Sequence, residues 1–157
     1  MDTNAAGAQV LVLRHRRSDH DITNSVQVSS WESVWEAVHD HLVRIYPGAR
    51  LDVLKRAFED FDRLFRGRMP GYLGCDTVFH DIQHSLDMTL AMARLVEGHD
   101  ISVARPDRLG PTRAILGLIT ALFHDSGYIR RSEDEGHRNG AEFTRYHVTR
   151  SAQFLDH

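Results

Sequence analysis

The stretch Leu118-Ile-Thr-Ala-Leu-Phe-His124-Asp125-Ser-Gly127 constrains this chain more than any other. Its continuous apolar run reads as a buried helix, and the run ends on an adjacent histidine and aspartate. Adjacent positions on a helix diverge by about 100°, so two such side chains converge on one ion only where the helix gives out. A neutral imidazole beside a hard carboxylate suits a borderline-to-hard divalent cation such as Zn, Mn, Fe, Ni or Mg. The dipeptide also occurs at His20-Asp21, His39-Asp40, His80-Asp81 and His99-Asp100. Only His124-Asp125 follows a continuous apolar run and precedes a glycine.

Four further segments carry helical periodicity. Ser29-Ser30-Trp31-Glu32 matches a capping box, with Ser29 as N-cap and Glu32 reaching back. The helix after it presents Trp31, Val34, Trp35, Val38, Leu42 and Ile45 at three- and four-residue spacing and stops at Pro47-Gly48. A second helix, about residues 50–66, has Leu51, Leu54, Phe58, Phe61, Leu64 and Phe65 on its apolar side and ends at Gly67. A turn-rich loop leads to a third, predicted over 77–97, with Asp76 or Thr77 as N-cap and Gly98 as the stop. In that helix His80 and His84 stand four residues apart, within reach of a common centre. Met88, Ala91 and Leu95 continue the same face, which predicts that both histidines point inward, and Asp87 reads as a surface acid. Asp81 either orients a histidine or is a first-turn acid favoured by the helix dipole. Pro111 opens the helix that delivers His124-Asp125. Residues 126–136 read as a charged, mobile loop. A last helix begins near Asn139 or Gly140, with Phe143, Tyr146, His147, Ser151 and Phe154 inward.

All five major segments are helical, so the expected class is all-α. Residues 1–28 read as a flexible N-terminal segment: a short strand at 8–13, then an exposed loop carrying His15 and His20 as solvated residues. Residues 29–157 form the helical domain. The net charge of −3 provides no basic footprint for a nucleic-acid duplex. A single cysteine, Cys75, excludes an internal disulfide framework and a cysteine zinc site, and fits a cytoplasmic location. No apolar run approaches the ~18 residues of a membrane span. Eleven histidines are the compositional fact in need of a use.

Three inward sites, His84, His124 and Asp125, would make the ligand count of an open catalytic metal site, with His80 one turn away as a general acid. Phe79-His80-Asp81-Ile82-Gln83-His84 followed by Phe123-His124-Asp125 resembles the HD-domain metal-dependent phosphohydrolases. The likeness is closest to the catalytic domain of class I cyclic-nucleotide phosphodiesterases, whose pattern is aromatic-His-Asn-x-x-His and then His-Asp. It covers about residues 72–154, half of the chain. The resemblance implies an HD/phosphodiesterase-like helical bundle that hydrolyses a phosphoester, a cyclic nucleotide among the candidates, with metal-activated water. Carried over by position, His80 protonates the leaving oxygen with Asp81 helping to hold the site, His84 binds metal, and His124 and Asp125 complete that side. His147-Val-Thr-Arg-Ser-Ala-Gln-Phe-Leu155 is similar to the histidine-bearing helix of the HD-GYP group. That implies His147 as ligand to a second metal, hence one or two divalent ions, with His137 a further candidate or a solvated loop residue. Arg130 and Arg131, with Arg138, would bind substrate phosphate or simply be solvated charges. The implied partner is a small phosphorylated molecule, a nucleotide by the resemblance.

The chain also departs from that pattern. Position 81 is Asp where the phosphodiesterases usually carry Asn, and Ser-Gly-Tyr follows Asp125 where they place a further histidine. Their later aspartate ligand, purine-binding glutamine and aromatic clamp have no counterpart here. The last helix reaches Asp156-His157 without a stop signal. The chain therefore reads as the front part of a catalytic domain. The alternative function is a catalytically incomplete metal-binding or dimerisation module, whose exposed apolar face a second copy would cover.

Overall fold

The structure is a computed structural model that describes residues 18–156. The strand expected at 8–13 and His15 lie outside the described residues. Within them are five α-helices and no β-strand beyond two isolated bridges, an all-α architecture as expected. The helices are α1 (Trp31–Ile45), α2 (Asp52–Phe65), α3 (Ile82–Ser102), α4 (Gly110–Phe123) and α5 (His147–Leu155). Helix α3 packs on both α1 and α4, α2 packs on α4, and α5 closes over the short 3-10 turn Ser126–Tyr128. Among the described residues no helix is long and apolar enough to cross a membrane.

Helix α1 starts one residue later than the capping box implied. Ser30 is the N-cap, its hydroxyl accepting from the Ser33 amide, while Glu32 accepts from the Ser30 hydroxyl. Val34, Val38 and Leu42 are buried and meet Leu54, Phe58, Phe61 and Leu64 of α2 in one core. Each fully buried side chain of this size contributes roughly 1.5–3 kcal/mol.

Residues 18–28 are not a free arm. Asp21 organises them: its carboxylate accepts from the Thr23 hydroxyl and from the amides of Ser25 and Val26. Arg94 of α3 binds the same carboxylate at 2.6 Å, and Val28, 1% exposed, enters the core. Backbone bonds from Asp21 to Val26 and from Val28 to Asp19 close the same turn, which the polar run hid because its anchor is a side chain.

Helix α3 corrects the sequence reading most. It begins at Ile82, with Asp81 as N-cap accepting from the His84 amide at 2.9 Å, and runs through Gly98 to Ser102. His80 thus precedes the helix instead of lying on it. The buried stripe is Ser85, Leu86, Thr89, Leu90, Ala93 and Val96, one position round from the expected one. Met88 and Leu95 are exposed, at 47% and 69%. Near its end Asp100, 1% exposed, accepts from the Tyr46 hydroxyl and the Leu109 and Gly110 amides. That carboxylate ties α1 and α3 to the start of α4 and satisfies amides that a helix N-terminus leaves open.

The segment after α4 differs too. Ser126, Gly127, Tyr128 and Ile129 are buried, so only the later part of 126–136 is an exposed loop. The final helical stretch is broken into a 3-10 turn, Gly140–Phe143, capped by Asn139, and α5. Phe143 and Ser151 face inward as expected, but Tyr146 is 61% exposed.

Candidate metal centre

Helix α4 ends at Phe123, with His124 as its C-cap, and the chain leaves helical geometry at Asp125. That break turns Asp125 inward, where its side chain is 2% exposed. Three imidazoles surround its Oδ2. His80 Nδ1 lies 2.8 Å away, His124 Nε2 3.1 Å and His84 Nε2 3.5 Å. The capped first turn of α3 delivers His84, the loop ahead of it His80, and the end of α4 His124 and Asp125.

One atom each from His80, His84 and Asp125 lies within 4.8 Å of the other two, the spacing of ligands around one ion. This differs from the expected trio of His84, His124 and Asp125. His80 joins the set because it sits outside the helix and its ring is free to turn back onto Asp125. His124 contributes from one side, as a neighbour of Asp125 in the chain.

The donor chemistry fits a cation. A carbonyl oxygen only accepts, so the 2.8 Å contact between His124 Nδ1 and the Ala121 carbonyl requires the proton on Nδ1. In a neutral ring Nε2 then presents a lone pair to the Asp125 carboxylate, an arrangement that a metal or a proton between them stabilises. Without metal the proton is favoured. The hydrogen bond to Asp125 holds the His124 imidazole above its ordinary pKa, against desolvation that pulls it down. Burial pushes the Asp125 carboxyl up, but hydrogen bonds with His124 and His80 outweigh it and leave the group below the usual aspartate range.

Asp81 acts on this centre as the cap of α3, holding the turn that carries His84. His147 opens α5 and donates Nδ1–H to the Thr144 carbonyl at 2.8 Å, which leaves its Nε2 as the available nitrogen. Its ring centroid is 6.5 Å from that of His80, with Tyr128 stacked on both at 4.4 Å. Tyr128 stands where the resembled phosphodiesterases carry a histidine, and it fills that place as a ring wall. No periodicity could have announced this stack, because it joins residues from three separate segments.

The arginines differ in what already holds them. Arg130 binds Asp76 at 2.9 Å and the His137 carbonyl at 3.1 Å, so its fork is occupied. Arg131 faces Glu133 at 3.7 Å and lines a small cleft with Tyr72, Ser126 and Phe154 that includes none of the histidines. Arg138 is exposed, and His137 packs its ring on Phe143 at 4.6 Å. The sequence reading missed Arg150, whose guanidinium donates to the Gly127 and Ile129 carbonyls and to Asp134 while lying 3.8 Å over Phe143.

No known family, curated protein or solved structure matches the chain.

Proposed function

We propose that the chain is a metal-dependent phosphohydrolase whose centre is the Asp125 cluster. The observation that supports this is the convergence of three imidazole nitrogens on Asp125 Oδ2: His80 Nδ1 at 2.8 Å, His124 Nε2 at 3.1 Å and His84 Nε2 at 3.5 Å. His84, His124 and Asp125 would hold the cation and His80 would carry the proton. A divalent ion there supplies Lewis acidity and a bound water of lowered pKa. The remaining work falls to the side chains. Asp125, nearly inaccessible, fixes where positive charge sits. His80 keeps a partly exposed edge, at 34% side-chain exposure, from which a proton reaches a leaving alkoxide. Tyr128 restricts that ring's rotation by stacking on it. The ligand spacing favours a second assignment, in which His80 is itself a ligand and His124 the outer group.

Elemental mass spectrometry tests the centre, with wild type beside His84→Ala and Asp125→Asn. Stoichiometric Fe, Mn, Zn or Ni that either substitution removes, together with phosphoester turnover, supports the proposal. Metal-free protein, even after reconstitution, overturns it. His80→Ala separates the two assignments: metal kept and turnover lost makes His80 the acid, whereas metal lost makes it a ligand.

A further inference from the structure

A groove of about 500 Å³ lies between α4 and α5, touching the cluster at His124 and including none of His80, His84 and Asp125. His124 and His147 form its inner end, and Phe123, Val148, Ala152 and Leu155 its length. Along α5, His147 to Leu155 covers about 12 Å at 1.5 Å per residue, enough for a ring system or a short chain beyond the centre.

Its two hydroxyls are already used. The Ser151 hydroxyl accepts from the Gly127 amide and donates to the His124 carbonyl, and the Thr120 hydroxyl donates to the Leu116 carbonyl. Among the described residues no lysine or arginine lines the groove, and Asp156 is its one carboxylate. Asp156 therefore opposes an anion at its own end, while Phe123, Val148, Ala152 and Leu155 offer only apolar contact. Volume, lining and one polar terminus match a small-molecule pocket.

We infer that this groove binds the uncharged apolar portion of the substrate, so that the substrate is a phosphoester bearing a bulky apolar or aromatic group and not a polyphosphate. The inference rests on the phosphohydrolase reading for the placement of the phosphoryl group at the histidines. The nucleotide expectation narrows accordingly: a base can lie in the groove, but a triphosphate chain finds no cation there.

The test is calorimetric titration of manganese-reconstituted protein with phenylphosphonate and with methylphosphonate, which share the anionic head and differ in the apolar group. Burial of a phenyl ring predicts at least ~10-fold tighter binding of phenylphosphonate. Ala152→Trp, at an exposed helical position, fills the groove and should bring phenylphosphonate to within about 2-fold of methylphosphonate, the latter unchanged. Val148→Ser, also on the exposed side, should give an intermediate preference. Equal affinities in wild type, a preference that Ala152→Trp leaves intact, or no binding of either probe overturns the inference. A dimer that Ala152→Trp dissociates, with no phenyl preference, overturns it in favour of a second copy in the groove. Manganese content is measured separately. Metal-free protein that still prefers phenylphosphonate in an Ala152→Trp-sensitive way would sink the phosphohydrolase reading and keep the groove.

Discussion

Gly127→Ala is the sharpest probe of how the two halves of the site are joined. A Cβ at Gly127 would stand 1.9 Å from the His147 carbonyl oxygen, 2.7 Å from its carbonyl carbon and 2.8 Å from its Cα. Real Cβ contacts essentially never fall below 3.0 Å, so the first turn of α5 must retreat by more than 1 Å. That turn cannot yield cheaply. Ser151 holds the Gly127 amide at 2.8 Å, and Arg150 holds the Gly127 carbonyl at 2.9 Å. Overpacking against backbone of this kind costs about 3 kcal/mol, the upper part of the usual range. For a domain of this size each kcal/mol lowers Tm by roughly 2–4 °C, so calorimetry should show a fall of about 6–12 °C. Gly98→Ala is the matched control. Gly98 lies inside α3 with nothing within 4 Å of its virtual Cβ, so alanine should stabilise by ~0.5–1 kcal/mol. A Gly127→Ala protein melting within about 1 °C of wild type would refute the close approach of α5 to the metal-site turn.

Acid should unfold the protein through Asp21 and Asp100. Burial opposes ionisation of both, yet their hydrogen bonds hold both well below the usual aspartate range. Each depressed pKa gives stability that is complete above the unfolded value of ~3.9 and is lost as pH falls below it, at up to ~1.4 kcal/mol per pH unit. Denaturant titrations of Asp100→Asn should therefore show a shallower loss below pH ~4 than wild type, and an unchanged slope would refute the assignment. Arg150→Lys keeps the charge but not the planar fork that spans Gly127, Ile129 and Asp134. It should cost about 2 kcal/mol in urea unfolding. Phe58→Ala, at a fully buried position, should cost about 3–5 kcal/mol by the same assay. On the metal-dependent proposal, chelation should lower Tm by an amount that grows with the free metal concentration of the reference sample, because metal would bind the native cluster alone.

Helix identity was legible in the chain, whereas helix ends were less so. Val34, Val38 and Leu42, and Leu54, Phe58 and Phe61, fall on the faces that their spacing implied, because large apolar groups at three- and four-residue intervals have no other stable placement. Helix α3 defeated the same reasoning. Its buried stripe includes Ser85, Thr89 and Asp100, and its exposed side carries Met88 and Leu95, so polarity along it points the wrong way. Leu86, Leu90, Ala93 and Val96 fill the same buried side, which packs against both α1 and α4. Gly98 was read as a stop for the same local reason, although its backbone continues the helix.

The candidate cluster was legible in composition and not in wiring. His80, His84, His124 and Asp125 do converge, yet the argument that joined the first two, an i,i+4 pair on one helix, does not hold. Asp81 caps the helix between them, so His80 approaches from a loop. The convergence survives because a carboxylate that is 2% exposed must find positive or donor partners wherever they come from, and three imidazoles are at hand. Arg130 illustrates the converse. It already has carboxylate and carbonyl partners, and a guanidinium so engaged has little left to offer a phosphate. Spacing along a chain cannot state which of two adjacent groups turns inward at the end of a helix. Here Asp125 does, and the positions of the histidines follow from its burial.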